Sequence, residues 1–510
     1  MSDIPLNDIS GIARADGLST AESKELEALL DVYDRTRRRN MSIEAYYEGD
    51  VMARDIGVDI LPPDAKDKVN VSLSCDWARK SVHELSNLVR FDGFVFEDGE
   101  DERLADTLRR CNFESGLSRA RIGTLKKGCS FACVNSAGGR ANVRFHSADG
   151  GAAIMDGATD RLRSGMVFAD RGRTAWSGKR PVITQVNLHM EGNRVEIRRT
   201  GPSTWSATHV ETPEGAMMMV PLVYAPTDTK PLGGSRISKP VRDIVDDVLR
   251  IRLALALSTA FYAVPMRALL GLTPELYKAL SEKPQWTAYI NPWLMATADR
   301  NGHAPSLAQL PSNSPSPLIS LIENDARLFS SITGVPLNSL GMEQQGTVSA
   351  DAILERRRGL VDEAQDLIDA QLKPALREIA LLVMMVESNR ASVDDLDDAQ
   401  RSVMAHFKNP AMASIGATTD AAIKISSVNP AFASTDVFFE MVGFDQATIA
   451  RANAQMRMNQ ARANVGARPI LAQREGDVAA QQDRQGATMP SRQPVGDLRL
   501  TIGEGTGDED

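Results

Sequence analysis

Residues 334–350 read GVPLNSLGMEQQGTVSA, a glycine-rich loop that the neighbouring periodicity places between two helices. A glycine-rich loop that opens a helix can cradle phosphate, because its backbone N–H groups point at the ligand. A nucleotide loop also needs a cation and the GK[ST] ending. This stretch has neither, since no lysine or arginine occurs before Leu354. Nucleotide binding is therefore disfavoured, and a plain interhelical loop remains the alternative.

A second glycine turn precedes a helix, at PLGGSRIS (231–238). It offers Ser235 and Arg236 to a phosphate, but no lysine follows in the P-loop position. The turn alone is a weak indication of anion binding.

Two patterns resemble parts of metal sites. Cys129 and Cys133 are four residues apart, which zinc permits, but no second Cys or His pair follows, and His146 is the nearest candidate. The acidic run at 394–398 resembles the start of a calcium loop but lacks its central glycine and its final glutamate. A core strand and a solvated turn explain these patterns better, so we expect no metal.

Enzyme signatures are also lacking in the sequence. His83-Glu84 is not followed by a second histidine four residues later, and no G-x-S-x-G elbow occurs. We therefore expect neither catalytic residues nor a cofactor.

Composition limits the class of protein further. The chain has 510 residues, of which 42% are apolar and 25% charged, with a net charge of −9. A protein that grips DNA usually carries a basic excess, so any DNA contact here should be loose or local. The longest apolar run, residues 253–264, is shorter than the ~20 residues that a membrane span needs. The acidic N-terminus shows no signal peptide, and we expect a soluble protein without disulfides, made in the cytoplasm.

The first half of the chain reads as helices followed by strands. Helical periodicity recurs over residues 19–47, 73–90 and 101–127, and Ser19 and Glu22 have capping-box spacing. From 129 to 224, short apolar runs separated by Gly, Asn and Pro predict a β-rich section.

The second half is mainly helical. Helix 239–264 is apolar almost all round in its second half and so needs neighbours on several sides. After an insert, helix 317–333 follows, with Ser316 as N-cap and Gly334 beyond its end. A long helix from about 350 to 389 should be kinked at Pro374. A smaller helical region covers 396–460, and the polar last 40 residues are typical of disorder. The fold class is α+β, mainly helical.

This order of elements resembles the portal, or head-to-tail connector, protein of tailed bacteriophages, in the form found in actinobacterial phages. The resemblance covers about residues 20–460. Five motifs carry it: EAYYEGD (44–50), LKKGCSFACV (125–134), PLGGSRIS (231–238), VPMRALLG (264–271) and ITGVPLNSLG…SADAILERRRGLVDEA (332–364).

The resemblance implies a division of the chain into the regions of a portal subunit. They are a wing (1–235), a first stem helix (236–264), a clip (265–315), a second stem helix (316–334), a tunnel loop (335–349), a long kinked helix (350–390), a crown (391–465) and a disordered tail (466–510).

The resemblance also implies a function and partners. Such proteins form a homo-oligomeric ring, typically of twelve subunits, at one capsid vertex of the virion. Double-stranded DNA passes through the ring during packaging and ejection, without sequence-specific binding. The terminase large subunit and later head-completion or adaptor proteins dock on the clip, and the major capsid and scaffolding proteins surround the ring. Two alternatives remain: another phage head protein, such as a minor capsid or adaptor subunit, and a DNA-processing enzyme.

Site residues follow from these regions. The expected DNA channel residues in the tunnel loop are Asn338, Ser339, Met342, Glu343, Gln344, Gln345 and Thr347. The expected subunit interface in the stem comprises Val248, Leu249, Leu253, Leu257, Ile322 and Phe329. The expected docking residues of the clip are Trp286, Tyr289 and Trp293, because aromatic side chains are enriched at interface hot spots. A loop of amides and small side chains without cations would touch sliding DNA without gripping it.

Overall fold

The computed structural model describes residues 9–51, 74–97, 101–137, 139–174, 181–213, 215–263, 267–270, 278, 306–309, 314–342, 350–411, 415–430, 432, 435–444, 448–449 and 451–462. The chain divides into two units, residues 1–413 and 414–510. Every described strand belongs to the first unit. The described chain contains both helices and sheets, as the predicted α+β class requires. None of the helices that the structure describes is long and apolar enough to cross a membrane.

Eight helices of the first unit are labelled here in chain order. They are α1 (Thr20–Glu48), α2 (Trp77–Leu88), α3 (Glu102–Arg110), α4 (Phe113–Lys127), α5 (Lys239–Ala263), α6 (Ser316–Thr333), α7 (Ala350–Asp366) and α8 (Lys373–Glu387). A π-helical segment, Leu367–Leu372, joins the last two. Shorter turns are Ile12–Arg14, Leu337–Leu340, Val393–Asp395 and Asp398–Arg401.

The strands form four antiparallel sheets. In chain order they are β1 (Phe91–Val95), β2 (Cys129–Ala137), β3 (Arg140–Ser147), β4 (Gly151–Asp156), β5 (Arg161–Gly172), β6 (Val182–Met190), β7 (Asn193–Arg199), β8 (Trp205–Val210), β9 (Met219–Val223), β10 (Arg267–Leu270), β11 (Ser306–Gln309) and β12 (Met404–Phe407). The largest sheet is a meander of five consecutive strands, β4 to β8, and β2 lies between β3 and β9 in a second sheet. The pairs β1–β12 and β10–β11 stand apart.

Three hydrophobic clusters hold these elements together. The largest gathers the inner faces of α2 and α4 to α8 with one face of β2 and β9. The second packs α1 on the five-stranded sheet. The third fills the space between the two larger sheets, where both cysteines of β2 lie.

Local sequence signals set several helix ends. The predicted capping box is confirmed: the Ser19 hydroxyl accepts from the Glu22 N–H at 3.3 Å, and the Glu22 carboxylate accepts from the Ser19 N–H at 2.8 Å. Gly334 ends α6 in the left-handed conformation, φ 67°. The predicted N-cap of α6 is wrong by one residue, because Ser316 already belongs to the helix and Pro315 is the N-cap. The Ser316 N–H donates to the Ser314 hydroxyl at 3.3 Å.

Two longer predictions need correction. The single helix predicted over 101–127 is wrong, since the chain breaks at Cys111 and Asn112. Asn112 takes φ 50°, a left-handed conformation that asparagine tolerates and that no helix continues through. Where the long helix was predicted to be kinked, at Pro374, the structure has the π segment Leu367–Leu372 shortly before the proline. The proline ring would clash with the carbonyl four residues earlier in an α-helix, and a widened turn relieves that clash.

The second unit is helical in its described part. Helices Ile415–Val428 and Asp436–Val442 are followed by a helical stretch at 451–462. Phe432, Phe438, Phe439 and Phe444 form a chain of edge-to-face contacts there. Strand β12, which precedes these helices in the sequence, belongs to the first unit. It pairs with β1, although the two strands lie more than 300 residues apart in the sequence.

Candidate functional site

Four of the five motifs that carry the portal resemblance lie together in the first unit. The glycine turns at the ends of α4 and before α5 come into backbone contact. The Gly128 carbonyl accepts from the Tyr224 N–H at 2.8 Å, and the Tyr224 carbonyl accepts from the Gly234 N–H at 3.0 Å. Gly233 has φ 76°, and a Cβ there would collide with the Tyr224 carbonyl and come within 2.8 Å of the Gly128 carbonyl. Only glycine fits at position 233, between the backbone carbonyls of Tyr224 and Gly128.

Arg236, three residues further on, is the centre of this contact. Its side chain is 4% exposed. It donates to the Ser81 carbonyl of α2 at 2.8 Å, the Thr333 carbonyl of α6 at 2.6 Å and the Tyr224 hydroxyl at 3.1 Å, and it forms an ion pair with Glu363 of α7. The Tyr224 hydroxyl also donates to Glu363, at 2.5 Å. We call these five residues the Arg236 junction.

The junction ties the end of α6 to the last turn of α7. In the sequence, the expected tunnel loop lies between these two helices. Burial, with the neighbouring Glu363 carboxylate, raises the pKa of Tyr224 to about 12 despite the opposing effect of Arg236. The phenol therefore stays a donor at neutral pH. The guanidinium is buried and shared among four partners, so the phosphate cradle considered for residues 231–238 is not an open anion site.

The EAYYEGD motif is joined to the same region from α1. Glu44 lies 2.7 Å from the Nζ atoms of both Lys126 and Lys127. Burial alone would raise the pKa of Glu44, but the hydrogen bonds and charges of these lysines lower it below its ordinary value. The Tyr46 hydroxyl donates to the Asp246 carboxylate of α5 at 2.8 Å. The motifs thus act as mutual contacts that fix α1, α4 and α5 in one body.

Cys129 and Cys133 point into the core between the two larger sheets. Burial raises the pKa of both thiols to about 12, which keeps them protonated at neutral pH. They are core side chains of an alternating strand.

The expected stem residues are largely buried within the chain itself. Val248, Leu249, Leu253 and Phe329 are each at most 2% exposed, and Ile322 is partly buried against the same cluster. The Phe329 ring packs on Trp77 of α2 at 5.4 Å between centroids. Their burial is therefore explained without a neighbouring copy. The side chain of Leu257 lies outside the described residues.

Sequence reasoning missed a different set of apolar residues on α6. Leu321, Leu328 and Ile332 are each about half exposed, as is Ile319. The first three are separated by seven and four residues, which places them on one side of the helix. That spacing was available in the sequence, but only the structure shows that the adjacent side, with Ala326 and Phe329, is buried in the largest cluster.

The expected tunnel loop begins on the core. Val335 is fully buried and Leu340 is 8% exposed, in a short turn that packs against the largest cluster. Asn338 is exposed, Ser339 is half-buried, and Met342 packs partly against the same cluster. Glu343, Gln344, Gln345 and Thr347 lie outside the described residues.

The clip residues Trp286, Tyr289 and Trp293 also lie outside the described residues. The described parts of this insert include one ladder, in which Arg267 of β10 pairs with Gln309 of β11 and Leu270 with Ser306.

Comparisons with known proteins give a distant likeness. No family model matches the chain, and no curated protein matches it. Among solved structures, it is similar to a chain in the neck of an empty gene transfer agent (GTA) particle computed with C6 symmetry, with 14% identity, a TM-score of 0.36, and coverage of 71% of this chain and 87% of that one. A chain from the virion of the native GTA particle gives the same values. A chain of the native neck computed with C12 symmetry gives 16% identity, a TM-score of 0.34, and coverage of 72% and 91%. At these TM-scores no property of those particles is transferred to this chain.

Proposed function

We propose that this chain is the subunit of a phage-type portal: a ring at one capsid vertex through which double-stranded DNA is packaged and ejected. The ring would also be the platform on which the terminase large subunit and the head-completion or adaptor proteins dock. The role is structural, so its requirements are a stable subunit, a repeated contact between subunits, and a channel surface that lets DNA slide.

One observation carries the proposal: the Arg236 junction binds together the motifs on which the portal resemblance rests. Arg236 contacts the last turn of α6 through the Thr333 carbonyl and the last turn of α7 through Glu363. The two helices that flank residues 334–349 in the sequence are thus both anchored to the body of the subunit. Anchored flanking helices suit a loop that forms a channel constriction.

The charge of that segment supports the channel assignment. Residues 335–349 contain one anion, Glu343, and no cation. Affinity for duplex DNA grows with each phosphate that a lysine or arginine neutralises, and its salt dependence grows in proportion. A ring of loops without cations would therefore leave the passing duplex free to slide.

The ring itself is the first test. Negative-stain microscopy and light scattering of the purified full-length chain should show a closed ring with a central hole. A chain that stays monomeric at high concentration, or that forms solid aggregates without a hole, would refute the portal assignment.

The channel surface is tested by charge. Replacing Gln344 and Gln345 with lysine adds two cations per copy at the expected constriction. Rings should still form, because neither residue belongs to the expected stem interface. They should now bind DNA with a steep salt dependence in filter binding, and packaged DNA per particle should fall in a complementation assay. Normal packaging without gained DNA binding would show that these residues do not face DNA.

A further inference from the structure

Helix α6 carries an apolar flank that the chain itself leaves open. Leu321, Leu328 and Ile332 lie on this side of the helix, each about half exposed. The adjacent side, with Ala326 and Phe329, is buried against the body. Half-exposed leucine and isoleucine at helical spacing form an apolar stripe, and exposed apolar surface of this kind is typical of interaction sites.

Asp325 lies within this stripe, one turn from both Leu321 and Leu328. Its Oδ2 atom is buried and has no hydrogen-bond partner among the residues that the structure describes, while the residue as a whole stays partly exposed. Burial, and the nearby Asp247 carboxylate of α5, raise the pKa of Asp325 above its ordinary value. The flank therefore holds a carboxylate whose charge its own chain does not stabilise. We call Leu321, Asp325, Leu328 and Ile332 the acidic flank.

The opposite flank of the same helix carries a cation, Arg327. Arg327 follows Asp325 by two residues, which is about 200° round the helix. It is exposed and forms no ion pair within the described part of the chain. Ile319, about half exposed, precedes Leu321 by two residues and so also lies away from the stripe. We call Ile319 and Arg327 the basic flank, after Arg327. Glu323, which is also exposed, lies between them, four residues from each.

We propose that the acidic flank of one copy packs against the basic flank of the next, with Arg327 of the neighbouring copy as the counter-ion of Asp325. This inference rests on the proposed ring and adds which surfaces meet. Pairing two acidic flanks by a two-fold axis would instead bring two Asp325 carboxylates together. A head-to-tail contact between different surfaces closes into a ring when the rotation permits.

The positions along the helix agree with a rotational ring. Rotation about the ring axis leaves each residue at its own height, so residues that meet across subunits must have similar heights. On a helix that runs roughly along the axis, Asp325 and Arg327 differ by about 3 Å. That difference is well within the reach of an arginine side chain.

Charge reversal tests the pairing directly. Asp325→Arg and Arg327→Asp, each alone, should raise the concentration needed for ring formation by roughly tenfold or more, since like charges then face each other. The double variant, with both reversals in one chain, should assemble again. An equimolar mixture of the two single variants should also assemble, because alternating copies restore an opposite-charge pair at every interface.

Light scattering and negative-stain microscopy measure assembly, and thermal melting of the monomers checks that each variant is folded. Glu27→Arg is the matched control, since it adds the same charge as Asp325→Arg at an exposed helix position, on α1 and away from both flanks of α6, and it should leave rings intact.

Three results separate the outcomes. If the wild type forms no ring, the proposed function fails and this inference fails with it. If the wild type forms rings and both single variants do so equally well, only the flank pairing is refuted. If the single variants fail and neither the double variant nor the mixture assembles, the two residues do not form a pair and the pairing is likewise refuted.

Discussion

The carboxylates of Glu363, in the junction at the end of α6, and Asp325, in the middle of α6, differ in the partners that the described chain gives them. Glu363 meets Arg236 and the Tyr224 hydroxyl, in a junction that also includes two backbone carbonyls. Asp325 has a buried oxygen without a donor in the described structure and lies near another carboxylate, Asp247. The first is satisfied within the chain, and the second is not.

The difference separates what folds the subunit from what would assemble it. A buried charge is costly unless it is paired and hydrogen-bonded. The Arg236 junction meets that condition and so belongs to the stability of the isolated chain. Asp325 meets it only if a cation arrives from outside, and it lies in an apolar stripe that is also uncovered. Changes at the junction should therefore alter folding, whereas changes on the flank should alter assembly.

The largest effect on stability should come from placing a charge at a buried leucine of α5, compared with the same change at an exposed leucine of α6. Leu253→Asp places a charge at a position that is 2% exposed and should destabilise the chain by about 4 kcal/mol, seen as a lower melting temperature. Leu321→Asp, at a position that is 50% exposed, should leave melting of the monomer unchanged but abolish rings. A folded Leu253→Asp monomer with wild-type melting would contradict the assignment of Leu253 to the core.

The junction should be the next most sensitive point. Arg236→Met removes the donor for Glu363 and for the carbonyls of Ser81 and Thr333, and should cost about 3 kcal/mol. Arg327→Met, an arginine of the same region with no partner in the described structure, is the matched control and should not change melting of the monomer. Equal melting curves for the two variants would remove the distinction between junction and flank.

Local signals account for what the sequence predicted correctly. The capping box of Ser19 and Glu22, and the left-handed end at Gly334, depend on residues within one or two turns. The break at Asn112 was missed because flanking helical periodicity continues across it. Strand β12 was missed because it has four residues and pairs with a strand more than 300 residues away.

The candidate site could be predicted only as motifs and not as contacts. The glycines at 128 and 233 and the arginine at 236 were visible in the sequence. Their meeting depends on β2, β9 and α4 packing together, which no local pattern specifies. Likewise, the apolar side of α6 was visible, but which leucines face the body and which face solvent follows from the angle at which α5 packs.

The buried histidine His189 shows how burial without hydrogen-bond partners affects the charge of a side chain. His189 of β6 is fully buried, and neither ring nitrogen has a hydrogen-bond partner among the described residues. Burial, and the charge of Arg194, lower its pKa to about 3, and burial lowers that of His146 to about 4. Both side chains are therefore neutral in the folded chain at pH 7, which is why His189 tolerates its surroundings.

The sign of the pH effect follows from these values. Above the unfolded pKa of about 6.5, both states bind the same number of protons, so stability does not depend on these groups. Between 6.5 and the folded values, the unfolded state binds more protons and the folded state loses stability. His189 should account for about 2 kcal/mol of loss at pH 5. His189→Leu should flatten the acid side of a melting-temperature profile, and an unchanged slope would contradict the neutral buried state.

The smallest expected effect is on the stability of the monomer when a carboxylate is replaced by its amide. This effect should have opposite signs at Asp325 and Glu363, which makes it the most informative. Asp325→Asn keeps the shape of the side chain and removes a charge that burial and Asp247 disfavour. Melting of the monomer should therefore stay level or rise slightly, by less than about 1 kcal/mol in stability. Glu363→Gln is the matched change at the junction, where it weakens the charged hydrogen bonds from Arg236 and Tyr224, and it should lower stability by about 1–2 kcal/mol.

Assembly should respond in the reverse order. Asp325→Asn removes the partner expected for Arg327 of the neighbouring copy, so its rings should form only at higher concentration and should depend less on salt than wild-type rings. Glu363→Gln should assemble at the wild-type concentration once it is folded, because Glu363 is satisfied inside the subunit. Light scattering across a salt series, at a temperature where both monomers are folded, measures the contrast. Loss of monomer stability in Asp325→Asn would mean that this carboxylate already has a stabilising role within the chain, and the separation of folding from assembly along α6 would not hold.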